Sequence, residues 1–564
     1  MMTDSEIALR AKKIPIQKIS AKLRIDKKYL IPYGNYIAKI DLGILEKIET
    51  RNKGKLILVT AITPTPLGEG KTVTTIGLSM ALNRIGKFAS CCIRQPSMGP
   101  VFGIKGSAAG GGYSQVLPRE DFDLHFTGDA HAVGLAHNLA AAFLDNSIFR
   151  GNPLGIEKSK IYWNRVVDIG DRFLRHVKVG LGLPKEDLSR ESGFDITPAS
   201  EIMAILSLSS DLEDMRKRLG RIVLAESSSG KPITCEDIKV AGIMAVLLKD
   251  AIKPNLIQTL ENTPCFVHTG PFANIAHGNS SIIQDRIALS ACDYVVTEAG
   301  FGADCGAEKF FDIKTRLSGV APNAVVLVCS VRALKAHSGI CKIIPGRPLD
   351  RCLTEENIQA LEGGLCNLKK QIENCLLFGV PIAVAINRFS TDTKEEINLI
   401  MKKALEFGAA EAVVSEVWEK GSSGGIELAR AVARISSGNQ KFKLLYREEA
   451  GIKEKIEKIA VSIYGAAGVT YSDLAQNKIQ DFTEKHWDKL MICMAKTPLS
   501  LSHDPGLLGA PHGFLLPVRD IRAFIGAGFL SPICGGIEIM PGLPSHPRGE
   551  NIDIDKHGNI TGLS

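Results

Sequence analysis

The stretch KLILVTAITPTPLGEGKTVTTIGLSMALNRIG, residues 55–86, decides the fold. It opens with KLILVTAI, a near-continuous apolar run that suits a strand buried on both faces of a parallel sheet. A loop containing Pro and Gly follows, and VTTIGLSMALNRIG then reads as a helix. In this context backbone N–H groups at the helix start cradle anionic oxygens. The chemistry follows by residue type. Gly68 and Gly70 let the backbone approach a phosphate, Lys71 neutralises a transferring phosphoryl group, and the Thr72 hydroxyl is placed to ligand Mg2+. The predicted ATP-binding segment is therefore Thr65, Pro66, Leu67, Gly68, Glu69, Gly70, Lys71 and Thr72. Thr65 stands where the G-x-x-x-x-G-K-T pattern has its first Gly, and an ordinary Gly-rich turn is the competing reading.

Further strand-like runs lie at 88–97, 293–302, 323–334, 381–392 and 410–421, separated by segments with helical spacing. One of these, DTKEEINLIMKKALEFG at 392–408, carries a capping signal and a closing Gly. The expected fold is α/β: a doubly wound, mostly parallel sheet with a P-loop nucleotide-binding core and two further α/β or helical domains. Residues 1–150 and 256–360 are expected to form the nucleotide-binding domain. Residues 151–255, including WNRVVDIGDRFLRHVKVGL and ASEIMAILSLSSDLEDMRKRLGRIV, are expected to be a mostly helical insertion. Residues 361–564 are expected to form a C-terminal α/β domain that contributes to the substrate site.

Length and composition agree with a globular chain. The 564 residues are 45% hydrophobic and 23% charged, which excludes a disordered or collagenous polymer. A balance of 68 Lys and Arg against 61 Asp and Glu leaves +7, with no basic tail of the kind that binds nucleic acid, so anionic small substrates fit better. The N-terminal residues lack an export signal and no apolar run approaches the ~20 residues that span a bilayer. The 13 cysteines include no C-x-x-C, and several sit in apolar runs. A soluble cytoplasmic protein without zinc, nucleic acid or membrane partner is expected.

A second concentration of chemistry follows the first. In RQPSMGP, residues 94–100, Arg94 stands at the end of a strand-like run, where its planar fork suits a carboxylate or acyl phosphate. KGSAAGGGY at 105–113 then places only Gly, Ser and Ala between its Lys and its Tyr.

The blocks TPLGEGKT, RQPSMGPVFGIKGSAAGGGYSQV and LHFTGDAHAV together resemble the formate–tetrahydrofolate ligase family, also called 10-formyltetrahydrofolate synthetases. GFDITPASEIMAIL (193–206), LLKDAIKPNLIQTLENTPCFVHTGPFANIAHG (247–278), VVTEAGFGADCGAEKFFDIK (295–314), AINRFSTDT (385–393), SEVWEKG (415–421) and GAGFLSPICGGIEIMPGLP (526–544) continue the resemblance in order. It implies joining of formate to tetrahydrofolate with ATP and Mg2+, through formyl phosphate, giving 10-formyltetrahydrofolate, ADP and phosphate. Lys71 and Arg94 are then the expected catalytic residues. Phe301, Phe389 and Trp418 are the expected folate-binding aromatics, with core burial as the alternative for each. The resemblance also implies a homotetramer and activation by a monovalent cation, K+ or NH4+, held near Gln95 and Asp129. The chain departs from the family pattern at Gln95, Ser107, Thr269 and His503, where Glu, Gly, Gly and Asp are usual. These departures motivate a competing reading, a folded relative that binds nucleotide or folate without turnover. A different P-loop ATPase would lack the long ordered resemblance. His125, His131, His268 and His277 are read as hydrogen-bonded structural histidines rather than ligands.

Overall fold

The computed structural model describes residues 2–48, 54–183, 188–343, 348–438 and 440–563. Its centre is a twelve-stranded sheet. The parallel strands are β1 (Lys55–Ala61), β2 (Ala89–Ile93), β3 (Pro264–Val267), β4 (Tyr294–Glu298), β5 (Ala324–Cys329), β6 (Ile382–Asn387) and β7 (Glu411–Ser415). They lie side by side in the order β3-β2-β4-β1-β5-β6-β7. Val59 of β1 faces Glu298 of β4 on one side and Val326 of β5 on the other. All of β2, β4, β5 and β6 is buried, as a sheet covered on both faces requires. Antiparallel strands Leu30–Tyr33, Ile37–Ile40 and Asn255–Thr259 extend the β3 edge.

The strand-like runs at 55–64, 88–97, 293–302, 323–334, 381–392 and 410–421 all reach this sheet, each ending earlier than its apolar pattern. In each case the residues after the strand form the loop that carries polar groups. β3 was not anticipated as a core strand. Four residues, PCFV, give too short a run to signal one, and it gains its place by pairing with β2 and Asn255–Thr259. The segment Lys394–Glu406 is a helix with the expected capping box, Thr393 with Glu396.

Helix α1 (Lys71–Arg84) follows β1, and residues 74–82 of it are buried without interruption. Such a helix must be covered on every side. Two glycines allow the approach: a Cβ on Gly77 would lie 2.4 Å from Val417 Cβ, and one on Gly425 2.9 Å from Ala81 Cβ.

Two expectations about the remaining regions need correction. Among the described residues between 151 and 255 the α-helices are Glu201–Leu208, Leu212–Arg221 and Ala241–Leu248, with short strands between them, so the region is mixed rather than mostly helical. The Trp163–Leu181 stretch carries the short strands Arg165–Val167 and Val177–Val179. Its β-branched pairs Val166-Val167 and Val177/Val179 find partners in Phe194–Ile196 and Arg190–Ser192, and tertiary pairing overrides the helical spacing. The second correction concerns residue 361. It falls inside helix Ile358–Leu376, and the main sheet continues through β6 and β7, because their apolar faces are buried only by joining β5. A separate four-stranded sheet appears later, in the order Gly468–Tyr471, Leu515–Phe524, Phe529–Cys534, Met491–Ile492.

Among the described residues no helix is long and apolar enough to cross a membrane. Most described cysteines are buried free thiols, while Cys341 and Cys352 are joined in a disulfide that nothing in the sequence signalled.

Candidate active site

Loops from the carboxyl ends of β1, β2, β4, β5 and β6 meet around the start of α1. The chain leaves β1 for β2 on one side and leaves β5 for β6 on the other, so adjacent loops diverge and open a crevice, where ligands of such sheets bind.

The loop after β1 is held by its own acid. Glu69 Oε1 accepts from the Thr65 backbone N–H at 2.6 Å and from the Thr65 hydroxyl at 3.1 Å. Thr65, which breaks the phosphate-loop pattern, is thus the residue that the side chain of Glu69 closes the loop upon. Gly68 and Gly70 have φ of 73° and 79°, a conformation open to Gly at little cost. Gly70 is further restricted, since a Cβ there would lie 2.3 Å from Asn387 Nδ2. Below the loop, Thr63 is held by Asn367, Gln371 and His337.

Lys71 is the first residue of α1, with Nζ 4.0 Å from Glu69 Oε2. Burial pulls its ammonium pKa down, opposed by the Glu69 and Glu298 charges, while burial pushes the Glu69 carboxyl up, opposed by Lys71. Thr72 Oγ1 donates to Glu298 Oε2 at 2.7 Å. Arg94, just past β2, lies 3.5 Å from Glu298 Oε1 and donates to the Pro271 carbonyl at 3.2 Å. The structure therefore brings Lys71, Thr72 and Arg94 together, with Glu298 between the last two. The loop bearing Arg94 is fixed by Asp168, which accepts from Ser97 Oγ at 2.5 Å and from Met98 N–H at 3.2 Å.

The predicted aromatics sit on three loops. Phe301 follows β4 and is half-buried, with φ at 59°. A non-Gly residue there stores strain of roughly 1–3 kcal/mol, which the tight turn around it holds. A Cβ on the preceding Gly300 would lie 2.8 Å from Arg94 Nη1, so the backbone of this turn abuts the Arg94 guanidinium. Phe389 follows β6, half-buried, with the Arg332 guanidinium 3.4 Å above its ring. Trp418 follows β7 and is 39% exposed; its indole packs against the backbone of Gly111 and Gly112. Its carbonyl accepts from Tyr113 N–H at 2.7 Å.

Gln95 and Asp129 are both buried but differently engaged. Gln95 N–H donates to the Thr269 carbonyl at 2.7 Å. Asp129 is ion-paired with buried Lys39 at 2.7 Å and accepts from Asn255 at 2.8 Å and Thr127 at 3.3 Å. An ammonium from the chain itself thus already faces the Asp129 carboxylate. Ser107 donates to Asp123, and Thr269 holds φ at 56°. His268 is bonded to Ser281 and to the Ala251 carbonyl, and His277 to Ser207, while His125 and His131 are exposed.

Sequence reading missed Glu298, Lys39 and Lys105. Lys105 lies near Arg94 and Lys71, and desolvation of its ammonium, then the charges of those two residues, hold it down to about 8. Glu298 had a signal, an acid closing an apolar strand in VVTEAG, but which strand neighbours β1 is not written in the chain.

Comparison with known proteins now decides the family. The family model described as formate–tetrahydrofolate ligase matches residues 2–564. The chain belongs to the formate–tetrahydrofolate ligase family. It is 55% identical over 564 residues to the formate–tetrahydrofolate ligase of Roseiflexus castenholzii, covering all of both chains. Against the enzyme of that name from Desulforamulus reducens it is 53% identical over 561 residues, covering 100% of this chain and 99% of the relative. Formate–tetrahydrofolate ligase 3 of Rubrobacter xylanophilus is 53% identical over 573 residues, with both chains fully covered. A member of this family is a ligase.

Proposed function

We propose that this protein joins formate to tetrahydrofolate with ATP, through formyl phosphate, giving 10-formyltetrahydrofolate, ADP and phosphate. The observation that carries the reading is the meeting of Lys71, Thr72 and Arg94 at the carboxyl ends of β1 and β2. Formate is an anion and a poor electrophile. Its oxygen attacks the γ-phosphorus, the bond to the bridging oxygen of ADP breaks, and formyl phosphate forms. The N10 amine then attacks the formyl carbon, and the bond to the phosphate oxygen breaks with loss of phosphate. Lys71 and Arg94 stabilise charge spread over the phosphoryl oxygens in the first step and the tetrahedral oxyanion in the second.

Thr65 to Thr72 cradle the ATP phosphates, Lys71 moving from Glu69 to the γ-phosphate. Thr72 offers a hard hydroxyl oxygen suited to Mg2+, which when bound neutralises phosphate charge. Phe301 and Trp418 grip the pterin, Phe301 from the loop after β4 and Trp418 from the loop after β7, with Phe389 on the loop after β6. A monovalent cation, K+ or NH4+, acts near Gln95 and Asp129, where Gln95 supplies an amide oxygen in place of a carboxylate. The enzyme works as a cytoplasmic homotetramer. Residues 151–255 are an insertion in its nucleotide-binding part, and the part of the chain that follows the main sheet contributes to the folate site.

The test is conversion of tetrahydrofolate, read after acid cyclisation of the product to its absorbing methenyl form. Product only when formate, ATP and tetrahydrofolate are all present supports the reading. A folded protein that binds ATP and folate but forms none sinks it.

A further inference from the structure

We propose that Glu298 is a latch that holds Arg94 in the empty enzyme, and that it joins Thr72 in holding Mg2+ when the metal–nucleotide complex binds, releasing Arg94 for formate. The inference rests on the phosphate-loop reading above and adds a residue and an order of events to it.

The first support is position. Glu298 is the last residue of β4, which pairs in parallel with β1, and it stands opposite Val59. It therefore emerges beside the phosphate loop. In P-loop enzymes Mg2+ is held by the loop Ser or Thr together with a separate acidic side chain. Glu69 is tied into the loop itself, its Oε1 accepting from both the N–H and the hydroxyl of Thr65.

The second support is how the two oxygens are used. Oε2 takes the Thr72 hydroxyl at 2.7 Å, so both hard oxygen donors already sit together as Mg2+ prefers. Oε1 faces Arg94 at 3.5 Å, well beyond the 2.7–2.9 Å of a strong guanidinium–carboxylate bond. Arg94 Nε is buried with no hydrogen-bond partner. A buried donor left without a partner is costly, and a planar anion that completes the fork is favoured there. Beyond its bond to the Pro271 carbonyl, Arg94 is thus restrained towards Glu298 by charge rather than by a close carboxylate contact. Binding a divalent cation to Glu298 cancels the charge that restrains it.

Two measurements on wild type and Glu298→Gln test this: titration with a non-hydrolysable ATP analogue with and without Mg2+, and binding of 13C-labelled formate followed by NMR line broadening. In wild type, Mg2+ is expected to tighten the analogue, and formate is expected to bind more tightly only when analogue and Mg2+ are both present. In Glu298→Gln the Mg2+ gain is expected to fall tenfold or more, while formate without nucleotide binds several-fold more tightly because Arg94 is already free. A merely structural role would weaken both ligands together. Full retention of the Mg2+ gain in the variant, or formate binding without nucleotide that is unchanged or weaker, overturns the latch. Should the variant not fold, the wild-type arm decides alone: equal formate tightening by the metal-free analogue overturns it. A wild type that binds no nucleotide overturns the phosphate-loop reading itself, a result distinct from either of these.

Discussion

Lys496→Met removes a charge from the centre of the molecule while keeping the length of the side chain. Lys496 and Asp304 are both fully buried and pair at 2.9 Å. Asp304 lies in the short helix Ala303–Ala307 just after Phe301, and Lys496 follows strand Met491–Ile492, so the pair ties the segment after β4 to the four-stranded sheet. In the variant Asp304 keeps uncharged side-chain donors, the Gln371 amide at 2.8 Å and the weak Cys305 thiol at 3.7 Å. Stranding one member of a buried pair costs roughly 3–5 kcal/mol. A second route bounds the same quantity: protonating an ordinary carboxyl at pH 7 costs about 1.4 kcal/mol per unit over about three units, or roughly 4 kcal/mol. The two figures agree, so the variant is expected to lose about 4 kcal/mol at pH 7. The sign of its pH dependence follows from the second route. The folded variant holds a proton that the unfolded chain releases, so the deficit grows as pH rises and shrinks on acidification. Between pH 7 and pH 5.5 it should narrow by about 2 kcal/mol relative to wild type. Urea unfolding, followed by fluorescence at both pH values, measures this. Asp304→Asn combined with Lys496→Met leaves no stranded charge and should recover much of the loss. Wild-type stability at pH 7, or a deficit that grows on acidification, would refute the reasoning.

Lys71→Ala should abolish turnover with the circular dichroism spectrum unchanged; wild-type rates would remove Lys71 from the phosphate site. For Trp418→Ala, weaker folate binding and little change for ATP are expected in equilibrium titrations, and unchanged folate affinity would return Trp418 to a packing role on Gly111 and Gly112. Gln95→Glu adds a carboxylate at the proposed cation site and should lower the K+ concentration for half-maximal activation; an unshifted curve would exclude Gln95. Burial holds both His137 and His268 down to about 4. Each is neutral in the folded protein, so its contribution is present above about pH 6.5 and is lost as pH falls towards 4, which acid unfolding of His137→Gln against wild type should register as a shallower decline.

What the chain carries locally, it declared. The apolar run of β1 followed by a Gly-containing loop and Lys-Thr specifies strand, anion-binding turn and helix, because each depends on neighbours within a few residues. The capping box at Thr393 and Glu396 is local in the same way. So were Arg94, Phe301, Phe389 and Trp418 as residues at the ends of strands. The ordered blocks over the whole length pointed to the family, which the comparisons then established.

Other features depend on distance in space rather than along the chain, and these only the tertiary structure decided. β3 is a strand because β2 and Asn255–Thr259 flank it, not because four residues announce one. The Trp163–Leu181 segment has helical spacing yet pairs with strands after residue 189. Asp304 and Glu308 stand four residues apart in one stretch, EAGFGADCGAEK, and nothing local tells them apart. One is paired with Lys496, 192 residues away, and the other is buried against Asp312, where burial and that second carboxyl push its own carboxyl well up. Glu298 acquires its meaning only because β4, formed more than 200 residues after β1, slots in next to it and sets a carboxylate 2.7 Å from Thr72. Hydrogen-bonded strand order is a choice among nearly equivalent apolar runs, made by packing the whole sheet, and no single run encodes it.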